Sequence, residues 1–283
     1  MDRTLPLPAN LLITGGAGHV GRKLRRELAG RFVRLRILDL AAPAELGPGE
    51  EAMAGDVADM AAVERAMAGM DAVLHLAAVT REAPFEPILQ ANVVGTWNVY
   101  EAARRAGVRR VVFGSSNHAV GFYPRHQRID DAAPPRPDSR YGLSKAWGEA
   151  VGALYADKYG VRSLHIRIGN AADRPGSLRS LAIWVSGRDL AQLCLIGLAH
   201  PEIHNTVVYG VSDNAACWYD NHEAYRLGYK PQDRAEDHAD AAMAAEAGAA
   251  HDPAALYFQG GPFCAEEYAG GPVPPPPAPV LGG

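Results

Sequence analysis

Short apolar runs separated by stretches of helical spacing recur through the first two thirds of this chain. Leu11-Leu12-Ile13, Leu35-Arg36-Ile37-Leu38, Ala72-Val73-Leu74-His75-Leu76, Val111-Val112-Phe113 and Val161 to Ile168 each read as a strand. Between them, Leu24 and Leu28 open a helical period, Ala61 to Met70 is amphipathic, and Pro87 to Ala106 and Ser139 to Tyr159 are long helices. Strands alternating with helices at this pitch predict an α/β fold, a doubly wound parallel sheet with helices on both faces. After Ile168 the rhythm loosens. Gly169 to Arg179 reads as a loop, Asp189 to Ala199 as a helix, Thr206 to Tyr209 as a short strand, and Asp220 to Tyr229 and Ala235 to Ala247 as helices. The pattern divides the chain into a sheet domain over 9–168, a small substrate-side cap over 169–265 continuous with it, and a tail over 270–283. That tail carries Pro272 and Pro274 to Pro277, favours polyproline-type extension and is expected to be disordered.

The first strand runs into Thr14-Gly15-Gly16-Ala17-Gly18-His19-Val20-Gly21, with a helix behind it. Gly15, Gly18 and Gly21 are spaced as in the phosphate-binding turn of a Rossmann fold: they permit a tight turn, let the backbone approach a pyrophosphate and allow close helix packing. His19 and Val20 belong to the same cofactor-binding turn. Asp39 closes the second strand at the separation expected of a carboxylate that bonds a ribose 2'-hydroxyl. The same charge repels a 2'-phosphate, and Leu40, Ala41 and Ala42 offer no arginine to hold one, so NAD is favoured over NADP. Asp56 and Val57, at the end of the third strand, are placed for the adenine edge. Leu76, Ala77 and Ala78 end the next strand with residues small enough for a cofactor to lie against the backbone.

Gly114-Ser115-Ser116-Asn117-His118 stands at the carboxyl end of a central strand, where open α/β sheets bind ligands. Tyr141-Gly142-Leu143-Ser144-Lys145 then puts a phenol and an ammonium on one helix face. To act as a base near neutral pH, a tyrosine of ordinary pKa about 10 needs its phenolate stabilised by about 4 kcal/mol, and a neighbouring ammonium supplies part of that.

Composition narrows the alternatives. A 283-residue chain that is 48% hydrophobic can bury a large core, and a net charge of -4 gives no bulk attraction to nucleic acid or to anionic membranes. Arg22, Lys23, Arg25, Arg26, Arg31, Arg34 and Arg36 form a basic cluster, which Leu24, Leu28 and Phe32 interrupt at helical spacing; it reads as a solvated helix face. Cys194, Cys217 and Cys264 have no pairing or metal-ligand spacing, and His200 and His204 do not share a helix face, so no metal site is expected. No apolar run approaches the roughly 20 residues that span a bilayer, and Met1 to Asn10 lacks a signal-peptide core, so a cytoplasmic protein is expected. Ala255-Leu256-Tyr257-Phe258-Gln259-Gly260 looks like part of a protease-cleavable tag, but lacks the usual Glu-Asn and reads as native.

The glycine turn, Asp39, Ser116 and the Tyr141/Lys145 pair together resemble the short-chain dehydrogenase/reductase family. The form of the glycine turn and the Ser115-Ser116 pair resemble its extended branch of sugar-modifying oxidoreductases, epimerases and dehydratases. Ser115-Ser116-Asn117-His118-x-x-Gly121-Phe122-Tyr123-Pro124, Arg136-Pro137-Asp138, Tyr209-Gly210-Val211-Ser212-Asp213-Asn214 and Tyr257-x-Gln259-Gly260-Gly261 are similar to the uronate dehydrogenases of that branch, from Leu11 to about Phe263.

The resemblance implies NAD-dependent oxidation of D-galacturonate or D-glucuronate at C1 to the aldaric acid lactone. It makes Tyr141 the base, Ser116 the holder of the reacting oxygen, Lys145 a partner of the nicotinamide ribose and Asn92 a proton-relay residue. Thr80, Asn117 and His118 align with positions expected to contact sugar hydroxyls. Arg179 falls where the carboxylate-binding arginine does, with Arg174 as a second candidate. Gly169-Asn170-Ala171-Ala172 departs from the family's Ser and Cys after Arg-Ile-Gly. A homo-oligomer through the two long helices is expected. The alternatives are a nucleotide-sugar epimerase or reductase, for which the cap is short, and a non-catalytic NAD-binding regulator, which would have no need of Tyr141 and Lys145.

Overall fold

A computed structural model describes residues 5–247 and 252–274. In chain order the elements are β1 (Asn10–Thr14), α1 (His19–Glu27), β2 (Arg34–Asp39), β3 (Glu50–Ala54), α2 (Met60–Met67), β4 (Ala72–His75), α3 (Phe85–Ile88), a π-helical turn (Leu89–Val94), α4 (Gly95–Ala106), β5 (Arg110–Ser116) and a 3-10 turn (Asn117–Val120). Then come α5 (Arg140–Tyr159), β6 (Arg162–Ile168), α6 (Leu178–Ile183), α7 (Gly187–Ala199), β7 (Asn205–Gly210), α8 (His222–Arg226), α9 (Ala239–Glu246), α10 (Pro253–Tyr257) and α11 (Pro262–Ala265). The strands form one parallel sheet in the order β3-β2-β1-β4-β5-β6-β7. Strand order reverses between β1 and β4, which opens a crevice at their carboxyl ends.

The alternation of side chains along each strand divides the core into two layers. Leu11, Ile13, Leu35, Ile37 and Leu164 pack on one face with Leu24 of α1, Leu28 just after it, and Leu190, Leu193 and Leu198 of α7. Leu12, Leu38, Val73 and Val111 pack on the other with Val63 and Met67 of α2, Val99 and Tyr100 of α4, and Val151 and Tyr155 of α5. A smaller cluster of Val120, Tyr123, Ile129, Ile183, Tyr209 and Tyr219 lies beyond the strand ends.

Three expectations change. The stretch 169–265 is not all cap, because β7 pairs with β6 along its length and α7 covers the sheet, so a boundary at 168 runs through the sheet. The helix expected from Pro87 to Ala106 begins at Phe85 and is wound as a π-helix from Leu89 to Val94. The basic cluster is not simply a solvated face. Lys23 is buried and donates to the Ala171 carbonyl at 2.6 Å, and Arg25 bonds Glu50, at the start of β3, at 2.9 and 2.6 Å. Of the expected disordered tail, residues 275–283 lie outside the described residues. The tag-like segment is part of the fold: Gln259 is fully buried, and its amide donates to the carbonyls of Pro124 and Gln127.

Helix α5 is capped by Ser139, whose hydroxyl accepts from the Gly142 N–H at 2.9 Å. It lies so close to the sheet that a Cβ on Gly148 would strike the Phe113 ring and one on Gly152 would strike His165 and Tyr100. Beneath it, Glu149 accepts two bonds from Arg167 of β6, at 3.0 and 2.9 Å, and one from the Ser115 hydroxyl at 2.6 Å. Both ionic groups are almost wholly buried. Arg167→Leu leaves the Glu149 charge unpaired in the interior, so stability should fall by about 3–5 kcal/mol in urea unfolding; a loss within 0.5 kcal/mol would show the pair to be dispensable.

Candidate active site

A cleft of about 620 Å³ runs along the carboxyl ends of the central strands. Its cofactor end is made by the β1–α1 turn. Gly15 sits at φ +74°, and a Cβ there would lie 2.6 Å from the Ala77 backbone nitrogen, so two loop backbones meet where only glycine fits. Gly18 caps α1 without a side-chain bond, and the first turn holds no acidic residue, so its N–H groups and the positive end of the helix are available to an anion. Asp39 accepts from the Ala17 N–H at 2.9 Å through one oxygen and from the Leu40 N–H at 2.8 Å through the other, which fixes the carboxylate at the cleft wall. Val20, Gly21, Asp56, Val57, Leu76 and Ala78 also line the cleft. His19 and Lys23 both reach the Ala171 carbonyl, at 3.1 and 2.6 Å, and so tie α1 to the segment that departs from the family pattern. A bare glycine turn, an uncapped helix start and a carboxylate at the second strand end fit a dinucleotide without a 2'-phosphate.

At the centre, Tyr141, Lys145 and Ser116 converge on the cleft. The Lys145 ammonium donates to the Gly114 carbonyl at 2.7 Å and stands 5.0 Å from the Phe113 ring centre and 5.7 Å from that of Tyr141. Burial pushes it down to about 7. Burial pushes the Tyr141 phenol up to about 12; the Ser116 hydroxyl opposes this by hydrogen bonding and the Asp138 charge adds to it. The expected depression of Tyr141 by Lys145 is therefore not present here, because desolvation outweighs every neighbouring group.

Asn92, in the π-helical turn, is also buried. Its amide accepts from the Val79 N–H at 2.8 Å and donates to the Val79 carbonyl at 3.0 Å and the Ser144 hydroxyl at 2.8 Å. Both polar atoms of its side chain are thus bonded to the loop at Val79 and to α5.

The other end of the cleft is assembled from distant segments. Asn117 is buried; with its amide turned so that both atoms find partners, it donates to the Ile168 carbonyl at 3.1 Å and accepts from an Arg179 nitrogen at 2.9 Å. Arg179, on the first turn of α6, also donates to the Gln259 carbonyl at 2.8 Å. It stands behind Asn117, whereas Arg174 is exposed. Thr80 lies on the rim. His118 bonds Asp138 through Nδ1 at 2.7 Å and lies against Phe263 with ring centres 3.9 Å apart. Sequence reasoning missed Phe263 and Asp138 as members of the site. The Pro-Phe of Pro262-Phe263, just after the glycine pair, was the available signal for an aromatic wall; Asp138 was marked only as part of Arg136-Pro137-Asp138, with no role attached. A larger cavity, about 850 Å³, lies under residues 41–50 and includes neither Tyr141 nor Lys145. Among the described residues, no trio of His, Cys, Asp and Glu is placed to hold a metal ion.

The family model described as NAD dependent epimerase/dehydratase matches residues 11–174. The uronate dehydrogenase of Pseudomonas putida is 48% identical over 255 residues, 89% of this chain and 94% of that protein. The crystal structure of glucuronic acid dehydrogenase from Chromohalobacter salexigens superposes with a TM-score of 0.87 at 40% identity, covering 92% of this chain and 97% of the other. A tyrosine mutant of Agrobacterium tumefaciens uronate dehydrogenase complexed with NAD gives 0.86 at 39% identity, over 94% and 98%.

The cofactor end carries a prediction. Asp39→Ala removes both the acceptor for a ribose hydroxyl and the repulsion of a 2'-phosphate, so NAD affinity should fall about tenfold while NADP affinity rises, as read by titration of each nucleotide. Unchanged affinities for both would remove Asp39 from cofactor selection.

Proposed function

The chain belongs to the NAD dependent epimerase/dehydratase family, and from that premise we propose that it is an NAD-dependent oxidoreductase converting D-galacturonate and D-glucuronate, at C1, to the aldaric acid lactone. The observation that carries the reading is the convergence of Tyr141, Lys145 and Ser116 on the cleft, beside Asn117 and Arg179, in a chain 48% identical to a uronate dehydrogenase.

Gly15, Gly18, Gly21 and the start of α1 hold the pyrophosphate, Asp39 the adenosine ribose, and Asp56 and Val57 the adenine. Leu76, Ala77 and Ala78 back the cofactor, and Lys145 bonds the nicotinamide ribose. NAD, when bound, would supply the hydride acceptor and a positive charge. A phenol at about 12 is almost wholly protonated at neutral pH, so its ionisation has to be coupled to that charge and to the Lys145 ammonium. Tyr141, once its own proton had passed to solvent, would take the proton of the C1 hydroxyl while the C1 hydride left to the nicotinamide, and the freed O–H electron pair would form the lactone carbonyl. Ser116 donates to the same oxygen and holds it in line.

Asn92 acts by position, fixing the loop at Val79 against Ser144. Arg179 supplies the cation for the uronate carboxylate from behind Asn117, whose amide oxygen accepts from it. Thr80 and His118 take sugar hydroxyls, and the elements beyond Gly210 with residues 117–138 form the substrate-side cap.

The same reading makes the protein a cytoplasmic homo-oligomer without nucleic-acid or membrane partners. Support comes from its net charge of -4, from the lack, among the described residues, of any helix long and apolar enough to cross a membrane, and from an apolar strip on α3, α4 and α5. Phe85, Trp97, Leu143, Trp147 and Leu154 are each 41–56% exposed there. Trp97→Glu with Trp147→Glu should halve the sedimenting mass or better; a wild-type chain that sediments as a monomer would end this part of the reading.

Initial rates with NAD and NADP on galacturonate, glucuronate, galactose and glucose test the main proposal. Turnover should be confined to NAD and the uronates. Tyr141→Phe should lower kcat by about 10²–10⁴-fold with NAD affinity nearly unchanged. Arg179→Ala should raise KM for uronates roughly 10–100-fold. Equal rates on neutral sugars would remove the carboxylate role of Arg179, and turnover of a nucleotide sugar alone would replace the substrate class.

A further inference from the structure

His118 is held on every side. Its Nδ1 meets one oxygen of Asp138 at 2.7 Å, its face lies on Phe263 at an interplanar angle of 27°, and its edge approaches Tyr141 with ring centres 5.8 Å apart. The Asp138 carboxylate has no exposed side-chain surface. Its second oxygen accepts from the Ser139 hydroxyl at 2.7 Å, and that serine in turn caps α5 two residues before Tyr141. Gly121 and Gly260 pack directly on the carboxylate, where a Cβ on either would run into its oxygen. The Asp138 N–H donates to the His118 carbonyl at 3.3 Å, closing a small ring of contacts.

An ionised carboxylate only accepts, so its bond to Nδ1 requires the proton to sit on Nδ1. In a neutral imidazole the other nitrogen is then a bare acceptor. With Nδ1 turned to the interior, Nε2 is the polar ring atom left to the cleft that His118 lines.

We propose that Asp138 is a positioning residue that locks His118 in the Nδ1-protonated form, so that Nε2 accepts a hydrogen bond and the site selects a sugar ring presenting a hydroxyl donor at that point. The proposal rests on the uronate-oxidising reading above. It distinguishes a hydroxyl from an ether, a fluorine or a carboxylate oxygen, none of which can donate. It also has a pH sense. Burial holds His118 below its ordinary value and the Arg179 charge pushes the same way, while Asp138 raises it; Tyr141 and, behind Asp138, Cys264 are the other titratable groups packed there. As pH falls through the His118 value, Nε2 gains a proton, the acceptor is lost, and KM rises while the proton transfer at Tyr141 keeps its own profile.

Three readouts test this. In wild-type enzyme labelled with 15N-histidine, with His118→Gln used to assign the resonance, NMR should show the Nδ1–H tautomer for His118 at neutral pH. Among uronates fluorinated singly in place of each ring hydroxyl, one should lose at least about tenfold in kcat/KM, and the loss should shrink in His118→Gln, whose amide can donate. In Asp138→Asn the acid limb of kcat/KM should move to lower pH by about one pH unit, whereas a merely structural residue would lower activity without moving the limb. An Nε2–H tautomer overturns the proposal even if Asp138→Asn fails to fold, and so does a folded Asp138→Asn whose acid limb stays in place. If no uronate reacts, the reading of the substrate falls and the hydroxyl selection with it; if uronates react and the tautomer is the wrong one, the role of Asp138 falls alone.

Discussion

The close approach of α5 to the sheet is the constraint on which the site depends. Phe113, His165 and Tyr100 occupy the space that side chains at Gly148 and Gly152 would need, so the helix settles onto β5 and carries Tyr141 and Lys145 down to the strand ends. Proximity on that scale excludes water, and both reacting groups respond as buried groups do: the phenol is pushed up to about 12 and the ammonium down to about 7. Each shift favours the neutral form and opposes ionisation of the tyrosine. The pair is therefore poorly disposed to ionise by itself, and a positive charge brought into the cleft would favour the phenolate while pressing the lysine further towards its neutral form.

Burying so many polar groups under a catalytic row costs stability unless each finds a partner. The row is underlain by pairs that do so. His75 is bridged between the hydroxyls of Thr14 at 2.7 Å and Thr96 at 3.1 Å, joining β1, β4 and α4 across the point where strand order reverses. Burial pushes it down to about 3, with the Lys145 charge acting in the same direction, so it stays neutral and adds no second cation near the ammonium. Glu149 and Arg167 are the charged members of this layer. Their side-by-side bonds also hold Ser115, the neighbour of Ser116, so the hydroxyl that faces the cleft is set by a strand whose other hydroxyl is anchored beneath it.

What could be read along the chain is what short spacing determines. The strand–turn–helix at Gly15 to Gly21, the carboxylate at Asp39 and the Tyr141/Lys145 pair all lie within single βα units, and the structure puts them at one cleft. Features set by distant contacts were not readable. Lys23 looks like any solvated lysine until Ala171 and Asp173, some 150 residues on, close over it. Thr206 to Tyr209 reads as a strand, but nothing within it says that it pairs with β6 as the last strand of the sheet and does not belong to a cap. The direction of the Tyr141 shift depends on burial, and spacing to Lys145 says nothing about burial.

The two ends of the cleft are built on different principles, and this bears on how one fold serves several substrates. The cofactor end comes from consecutive strand ends, whose geometry follows from the sheet itself. The substrate end has no such scaffold. Arg179 reaches Gln259, Asn117 reaches the end of β6, and Arg125 holds the carbonyls of Ala255 and Phe258 at 2.6 and 3.1 Å. Arg140, at the head of α5, bonds Glu82 from the loop after β4 and Glu267 from the C-terminal segment. Segments far apart in the chain, up to 133 residues, are thus drawn together by side chains gripping backbone carbonyls and by ion pairs at the rim. A change in any one of these segments can reshape the substrate end while the sheet keeps the cofactor and the Tyr141/Lys145 pair in place.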